Sequence, residues 1–422
     1  SKRDSAADPN EEISSTRSST ALIRPRRLLE VPLENCSNNS SMLRWVELDL
    51  LEDMNNNQSL IARHKSTMSD VGLKNYFSIE NFRRTRGPLL DIRSASEFNQ
   101  GHWPGAINLP LFNDEERAAV GKTYKKQGRL QAILLGLEIT NPKMLIFKEF
   151  LENLKETNSQ QYGEVKNTTH IRLYCWRGGM RSASIGWMAN LFNLQPVILM
   201  GGYKSYRKWV LDQFQRKWPL RLLGGKTGTG KTDLLLSMKQ KGISIIDLEG
   251  LANHRGSSFG GLGLPLQPSS EHYENLLAES LDICSITSED WIWLEAESAN
   301  LGCCRIPNEL FKQMRQAPIV EINRSKEERV NQLVKVYAKH NKEDLKAATS
   351  RISRRLGPQR TELALNAINK EEWEQVCEAL LDYYDKCYEY ELSKSSQRKI
   401  IDISGLRPDA AAIKLLTEGF IE

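Results

Sequence analysis

The stretch that decides the fold is Leu173–Arg181, LYCWRGGMR. Ile171, Leu173 and Tyr174 are apolar and β-prone and run into Cys175. A short loop with two glycines and two arginines then leads into SASIGWMANLF, which has helical spacing. A cysteine at such a strand-to-helix turn has backbone N–H groups and the positive end of the helix dipole aimed at its sulfur. Arg177 and Arg181 add full positive charge nearby. These effects favour thiolate over thiol, the state a sulfur nucleophile requires. Gly178 and Gly179 permit the positive φ values that turn N–H groups inward as an anion nest. The alternative is a buried cysteine closing a core strand. The flanking arginines and glycines weigh against it, and Cys175 is the candidate nucleophile.

Working outward, strands alternate with helices from about residue 75. PLLDIR (88–93) reads as a short buried strand and GHWPGAINLP (101–110) as a loop running into another. Residues 113–135 read as one charged helix and 143–158 as a second. Residues 195–200 form a further strand, and GGYKSYRKWV opens a turn and a helix. Such alternation implies a mostly parallel sheet covered on both faces, an α/β fold.

A second domain begins near 216–220. Leu220–Leu223 is an apolar strand, and Gly225–Thr232 reads GKTGTGKT, a complete G-x4-GK[ST] phosphate loop with a helical run after it. Gly225, Gly228 and Gly230 let backbone N–H groups cradle phosphate oxygens, Lys231 supplies a point charge, and Thr232 admits Mg²⁺. A diphosphate ester fits that cradle as well as ATP does. Asp247, Glu295 and Glu297 stand at the ends of the next two strands and compete for the role of acid, base or metal organiser. The loop LANHRGSSFGGLGLPLQPSS (251–270) is too rich in Gly and Ser for a core element and suits a mobile substrate loop. Its His254 and Arg255 either meet an anionic ligand or face water. Residues 324–398 read as helical. Arg351, Arg354, Arg355 and Arg360 lie within them, either as a solvated face or as contacts to phosphates of substrate or RNA.

The 422 residues suffice for two or three cored domains, and a net charge of +5 permits a nucleic-acid partner without demanding one. Seven scattered cysteines, with no CxxC pair or zinc-spaced cluster, indicate free thiols, a cytoplasmic setting and no bound metal. No apolar run approaches the roughly 20 residues of a membrane span. Residues 1–67, rich in Ser, Asn and Arg, read as a disordered extension.

DIRSASEF-x2-GHWPGAINLP (91–110), followed by the CxxGGxR loop at Cys175, resembles a rhodanese domain over about 75–215. In that setting Asp91, Arg93 and His102 are expected to brace the strand and loop. The whole order is therefore a rhodanese-like domain followed by a P-loop NTPase-like domain over 219–422, with its helical part at 324–398. CWRGGMRS, GGYKSYR, GGKTGTGKT, IDLEGLANHRGSSFG and LEAESANLG, taken together, resemble the tRNA 2-selenouridine synthase family. Trp176 beside the nucleophile points to the same branch.

That resemblance implies a transferase acting on wobble 2-thiouridine in the anticodon loop of tRNA, which geranylates the sulfur from geranyl diphosphate and then exchanges S-geranyl for selenium from selenophosphate. It implies that Cys175 serves the exchange, that Arg177, Gly178, Gly179 and Arg181 hold the selenium-bearing anion, and that Gly225, Gly228, Gly230, Lys231 and Thr232 hold diphosphate. It implies no tightly bound cofactor and no membrane partner. Two other readings compete: a persulfide sulfurtransferase fused to an ATP-dependent small-molecule kinase, and a tRNA-binding adaptor with relic pockets.

Overall fold

Buried apolar strands alternate with amphipathic helices twice over. The computed structural model describes residues 75–162, 170–287, 291–392 and 398–418. The extension expected over residues 1–67 lies outside them. The first half runs β1 (Tyr76–Phe77), α1 (Ile79–Arg84), β2 (Leu89–Asp91), α2 (Ala95–Gln100), β3 (Ile107–Asn108), α3 (Asp114–Gln127), α4 (Arg129–Thr140), α5 (Met144–Tyr162), β4 (His170–Tyr174), α6 (Met180–Leu191), β5 (Gln195–Leu199) and α7 (Gly202–Gln215). Its five strands pair in the order β1-β5-β4-β2-β3, all parallel. Ile171, Leu173 and Tyr174 of β4 are fully buried, as a central parallel strand covered on both faces requires.

The single helix expected over 113–135 is two. Asn113 and Glu116 close a capping box that starts α3, and Gly128, at φ +91°, ends it. A second departure concerns hydropathy. Arg129–Leu154 is, by length and composition alone, apolar enough to cross a membrane. It is interrupted by a 3-10 turn at Asn141–Lys143 carrying Pro142.

The second half runs β6 (Leu220–Gly224), α8 (Lys231–Gln240), β7 (Ile245–Ile246), α9 (Leu248–Ala252), α10 (Ser270–Thr287), β8 (Ile292–Glu295), β9 (Asn300–Leu301), β10 (Cys304–Arg305), α11 (Asn308–Met314), β11 (Ile319–Asn323), α12 (Lys326–Tyr337), α13 (Lys342–Leu356), α14 (Pro358–Lys370), α15 (Trp373–Leu392), β12 (Arg398–Asp402) and α16 (Pro408–Thr417). A second parallel sheet has the order β12-β11-β6-β8-β7, and β9 with β10 forms a small antiparallel ribbon. Helices α13–α15 enclose a core of their own, built from Leu345, Ile352, Leu356, Ile368 and Leu380 with Phe259 of the 250s loop.

The chain passes between the sheets at residues 216–219, yet the two halves share one continuous apolar core from Phe82 to Ile319. Helix α10 forms the joint. Its Glu279 and Asp282 each accept a 2.6 Å hydrogen bond from Arg83 of α1, whose guanidinium also lies 3.7 Å over the Trp209 ring of α7. Glu271 accepts from Tyr203 at 2.7 Å, and Asn275 donates to the His102 carbonyl at 2.9 Å. The His102 ring stacks on Phe98 at 3.7 Å and against His272 of α10 at 3.9 Å. Truncating one member of a buried ion pair strands the others without compensation. Arg83→Ala is therefore expected to destabilise the protein by about 3 kcal/mol, read as a lowered denaturant midpoint. Lys148→Ala, which removes an exposed pair with Glu152, is expected to shift it by less than about 0.5 kcal/mol.

Candidate functional site

Cys175 follows the buried end of β4 and precedes α6, and is itself 3% exposed. The Gly179 N–H points at its Sγ from 3.3 Å and the Ser182 hydroxyl from 3.1 Å. Two donors thus converge on the sulfur. Gly178 is indispensable on steric grounds: its φ is +62°, and a Cβ would fall 2.1 Å from the Leu199 carbonyl oxygen. Gly179 does not share the left-handed conformation expected of it. At φ −102° it serves as the N-cap of α6, its N–H committed to the sulfur. The two arginines also separate. Arg177 is exposed, whereas Arg181 donates to Glu97 at 2.8 Å and is partly neutralised by it. Trp176 is 38% exposed beside the Tyr203 ring. Behind the loop, the buried Asp91 carboxylate takes the Arg93 guanidinium, which also donates to the Gly101 carbonyl at 2.6 Å.

The phosphate loop follows β6 and opens α8, with Gly225, Gly228 and Gly230 all at positive φ. Lys231 Nζ donates to the Gly225 carbonyl at 3.0 Å and to the Tyr388 hydroxyl at 3.2 Å, and lies 3.9 Å from Glu297. Tyr388 in turn donates to Glu297 at 2.8 Å. Lys226, at the loop's start, is held by Glu389 at 2.6 Å. Helix α15 thus lies across the loop and holds its charges.

The candidate carboxylates divide by role. Asp247 is the N-cap of α9, accepting the Gly250 N–H at 2.7 Å. Glu295, fully buried, accepts the Leu248 N–H at 2.9 Å through one oxygen, and the other has no partner among the described residues. Glu297 faces Lys231. Glu249, which the sequence reading left out of the site, lies 3.4 Å from the Thr232 hydroxyl. Burial first, then the neighbouring Glu297, pushes its carboxyl up to about 8. Burial likewise raises Glu295 well above the carboxylate range.

Two cavities adjoin this centre. One is apolar and closely packed, with about 40 Å³ of free volume. It reaches the phosphate loop at Thr227 and runs between Phe259, Leu333, Tyr337, Trp373 and Leu380. The other, about 560 Å³ and more open to solvent, is of mixed polarity, with His254, Gln267, Arg351, Arg355 and Tyr383 as its polar side chains. Ser257 and Tyr384 belong to both.

These features coincide with what comparison finds. Residues 78–208 match the rhodanese-like domain, and residues 218–407 match the tRNA 2-selenouridine synthase AAA domain. A protein of Pseudomonas putida (strain GB-1) named tRNA 2-selenouridine synthase is 33% identical over 351 residues, covering 74% of this chain and 89% of that protein. A protein of the same name from Hydrogenovibrio crunogenus is 34% identical over 361 residues, covering 75% and 92%. A third, from Marinobacter nauticus, is 34% identical over 342 residues, covering 73% and 89%. The chain belongs to the tRNA 2-selenouridine synthase family. It is an enzyme of that type, an α/β protein in which a rhodanese-like domain precedes a P-loop-like one.

Two site features escaped the sequence reading. Tyr388 sits in a run read only as helical, and nothing local marks it as a partner of Lys231, 157 residues away. Glu249 is visible as a carboxylate after a strand, but only packing distinguishes it from Asp247.

The raised Glu249 sets a pH dependence. Its folded pKa, about 8, lies above the ordinary 4.5, so the folded state holds the proton more tightly than the unfolded chain. The associated stability is fully present below about pH 4.5 and falls away as pH rises through 8. Glu249→Gln removes that loss. Its melting temperature relative to the parent, measured in chelator, is expected to climb steadily between pH 5 and 8. A difference that stays flat over that range contradicts the assignment.

Proposed function

We propose that this chain converts wobble 2-thiouridine of tRNA to 2-selenouridine by way of S-geranyl-2-thiouridine, with geranyl diphosphate and selenophosphate as the small substrates. The observation that carries the reading is the apolar cavity ending at Thr227. A diphosphate on the Gly225–Thr232 loop would lie next to this lining of aromatic and aliphatic side chains, whose chemistry suits a branched apolar chain rather than a ribose or purine edge. In the first step the thiocarbonyl sulfur bonds to the prenyl C1. The C1–O bond breaks, diphosphate leaves with the electron pair, and the base gives up its N3 proton. Lys231 and the loop N–H groups neutralise the charge developing on the leaving diphosphate. Cys377, which lines the cavity, is not a rival nucleophile, because burial pushes its thiol up to about 12.

No group of three or more His, Cys, Asp or Glu among the described residues is arranged for a metal ion. The Thr232 hydroxyl and Glu249 carboxylate nevertheless form the sparse oxygen set that fits Mg²⁺ arriving with phosphates. When bound, that ion would offset diphosphate charge. In the second step selenium of selenophosphate bonds to C2, the C2–S bond breaks and releases geranylthiol, and water takes the phosphoryl group from selenium as phosphate. This step falls to the Cys175 loop, whose convergent donors suit a chalcogen anion. Free thiols and a tRNA substrate accord with a cytoplasmic enzyme.

Mass spectrometry of nucleosides from 2-thiouridine tRNA tests this directly. The protein with geranyl diphosphate is expected to give S-geranyl-2-thiouridine, and added selenophosphate to convert it to 2-selenouridine. Cys175→Ala is expected to block the second conversion and spare the first. Lys231→Ala is expected to lower geranylation at least about 100-fold, the scale of losing one transition-state charge contact. Ala338→Phe, which fills the cavity, should weaken geranyl diphosphate binding about tenfold or more and leave inorganic diphosphate binding unchanged. An unaltered nucleoside profile with folded protein defeats the proposal.

A further inference from the structure

We infer that the open cavity beside the prenyl channel receives the wobble nucleotide of the tRNA, its base stacked at Tyr383 and its flanking phosphates held by Arg351 and Arg355. The inference rests on the transferase reading above, which requires an acceptor sulfur within about 3.5 Å of the prenyl C1. The cavity is placed next to the channel and the acids. Ser257 and Tyr384 form a wall common to it and the apolar channel. Gly256 in its lining is so close to the carboxylate centre that a Cβ there would lie 2.8 Å from Glu297 and 3.0 Å from Glu249. A base entering the cavity therefore approaches the channel, the phosphate loop and the acids together.

Its chemistry is that of a single-stranded RNA site. Unpaired bases are bound by stacking on aromatic or guanidinium planes, and their phosphates by arginine. Arg351 and Arg355, one helical turn apart on α13, are both exposed on the same face. Arg351 is already set in place by donating to the Ser258 carbonyl at 2.8 Å. Tyr383 packs edge-on against Tyr384 at 5.1 Å. His254 also lines the cavity. With about 560 Å³ the open cavity is of the size that takes a nucleotide-sized ligand.

The test uses the full chain and a fluorescent anticodon stem-loop RNA with 2-thiouridine at the wobble position, alongside the same RNA abasic there. The parent protein is expected to prefer the intact RNA about tenfold or more, the scale of one stacked base. Tyr383→Ala should abolish that preference, and Tyr383→Phe should keep it. The double change Arg351→Ala with Arg355→Ala should weaken both RNAs alike, at least about tenfold, and lower the slope of log affinity against log salt by about 2. Arg355→Gln alone should give a decrease of about 1, and serves if the double variant does not fold. Inorganic diphosphate binding, read on each variant, should be unchanged, because none of these side chains touches the phosphate loop. Folded variants that retain the base preference and the salt slope overturn the inference. Failure of the parent protein to geranylate the same RNA, with these RNA-binding effects intact, would instead count against the transferase reading.

Discussion

Like charges buried together are the constraint on which the second half of the structure depends. Asp247, Glu249, Glu295 and Glu297 converge where β7 and β8 end, and one lysine faces them. Such a group is tolerable only if some members bind protons and others find donors. The structure does both: Glu249 is raised, Glu295 takes a backbone N–H, Asp247 caps a helix, and Tyr388 donates to Glu297. The cations of the phosphate loop are thus held by α15, Lys231 through Tyr388 and Lys226 through Glu389.

The sulfur loop solves a different problem with the same architecture. A parallel strand ends, a helix begins, and the backbone between them aims N–H groups at a single atom. Here the donors meet a side chain of the protein, the Cys175 sulfur. Arg181 is drawn off by Glu97, so the free positive charge near the sulfur belongs to the exposed Arg177. Donors fixed by the fold hold the sulfur, while Arg177 stays exposed.

Helix α10 makes the two halves one body. It belongs to the second sheet by sequence, yet its polar residues pair with Arg83, Tyr203 and His102 of the first. Tyr203 also lies under the Arg93 guanidinium at 3.7 Å, and its N–H donates to the Cys175 carbonyl at 2.8 Å. The contacts that join the domains therefore also position the sulfur loop. The 250s loop leads from the carboxylates to the start of α10, so both centres depend on the same connection.

Local pattern carried much of this into view. The runs before Cys175 and Gly225, the glycines after them and the helices beyond are short-range signals. Turn chemistry and hydrophobic period act within a dozen residues, so the α/β class, the domain order, Cys175 and the phosphate loop were legible in the chain itself. The long helix expected at 113–135 failed on one glycine, because periodicity does not register a single residue at positive φ. What tertiary structure alone decided are the things made by residues far apart: the Lys231–Tyr388 contact, the assignment of four acids to four roles, the joint at α10 and the paired cavities. Thr227 and Trp373 line one cavity although nearly 150 residues separate them. A cavity is the space that several packed elements fail to fill, and its shape is a property of their docking rather than of any segment.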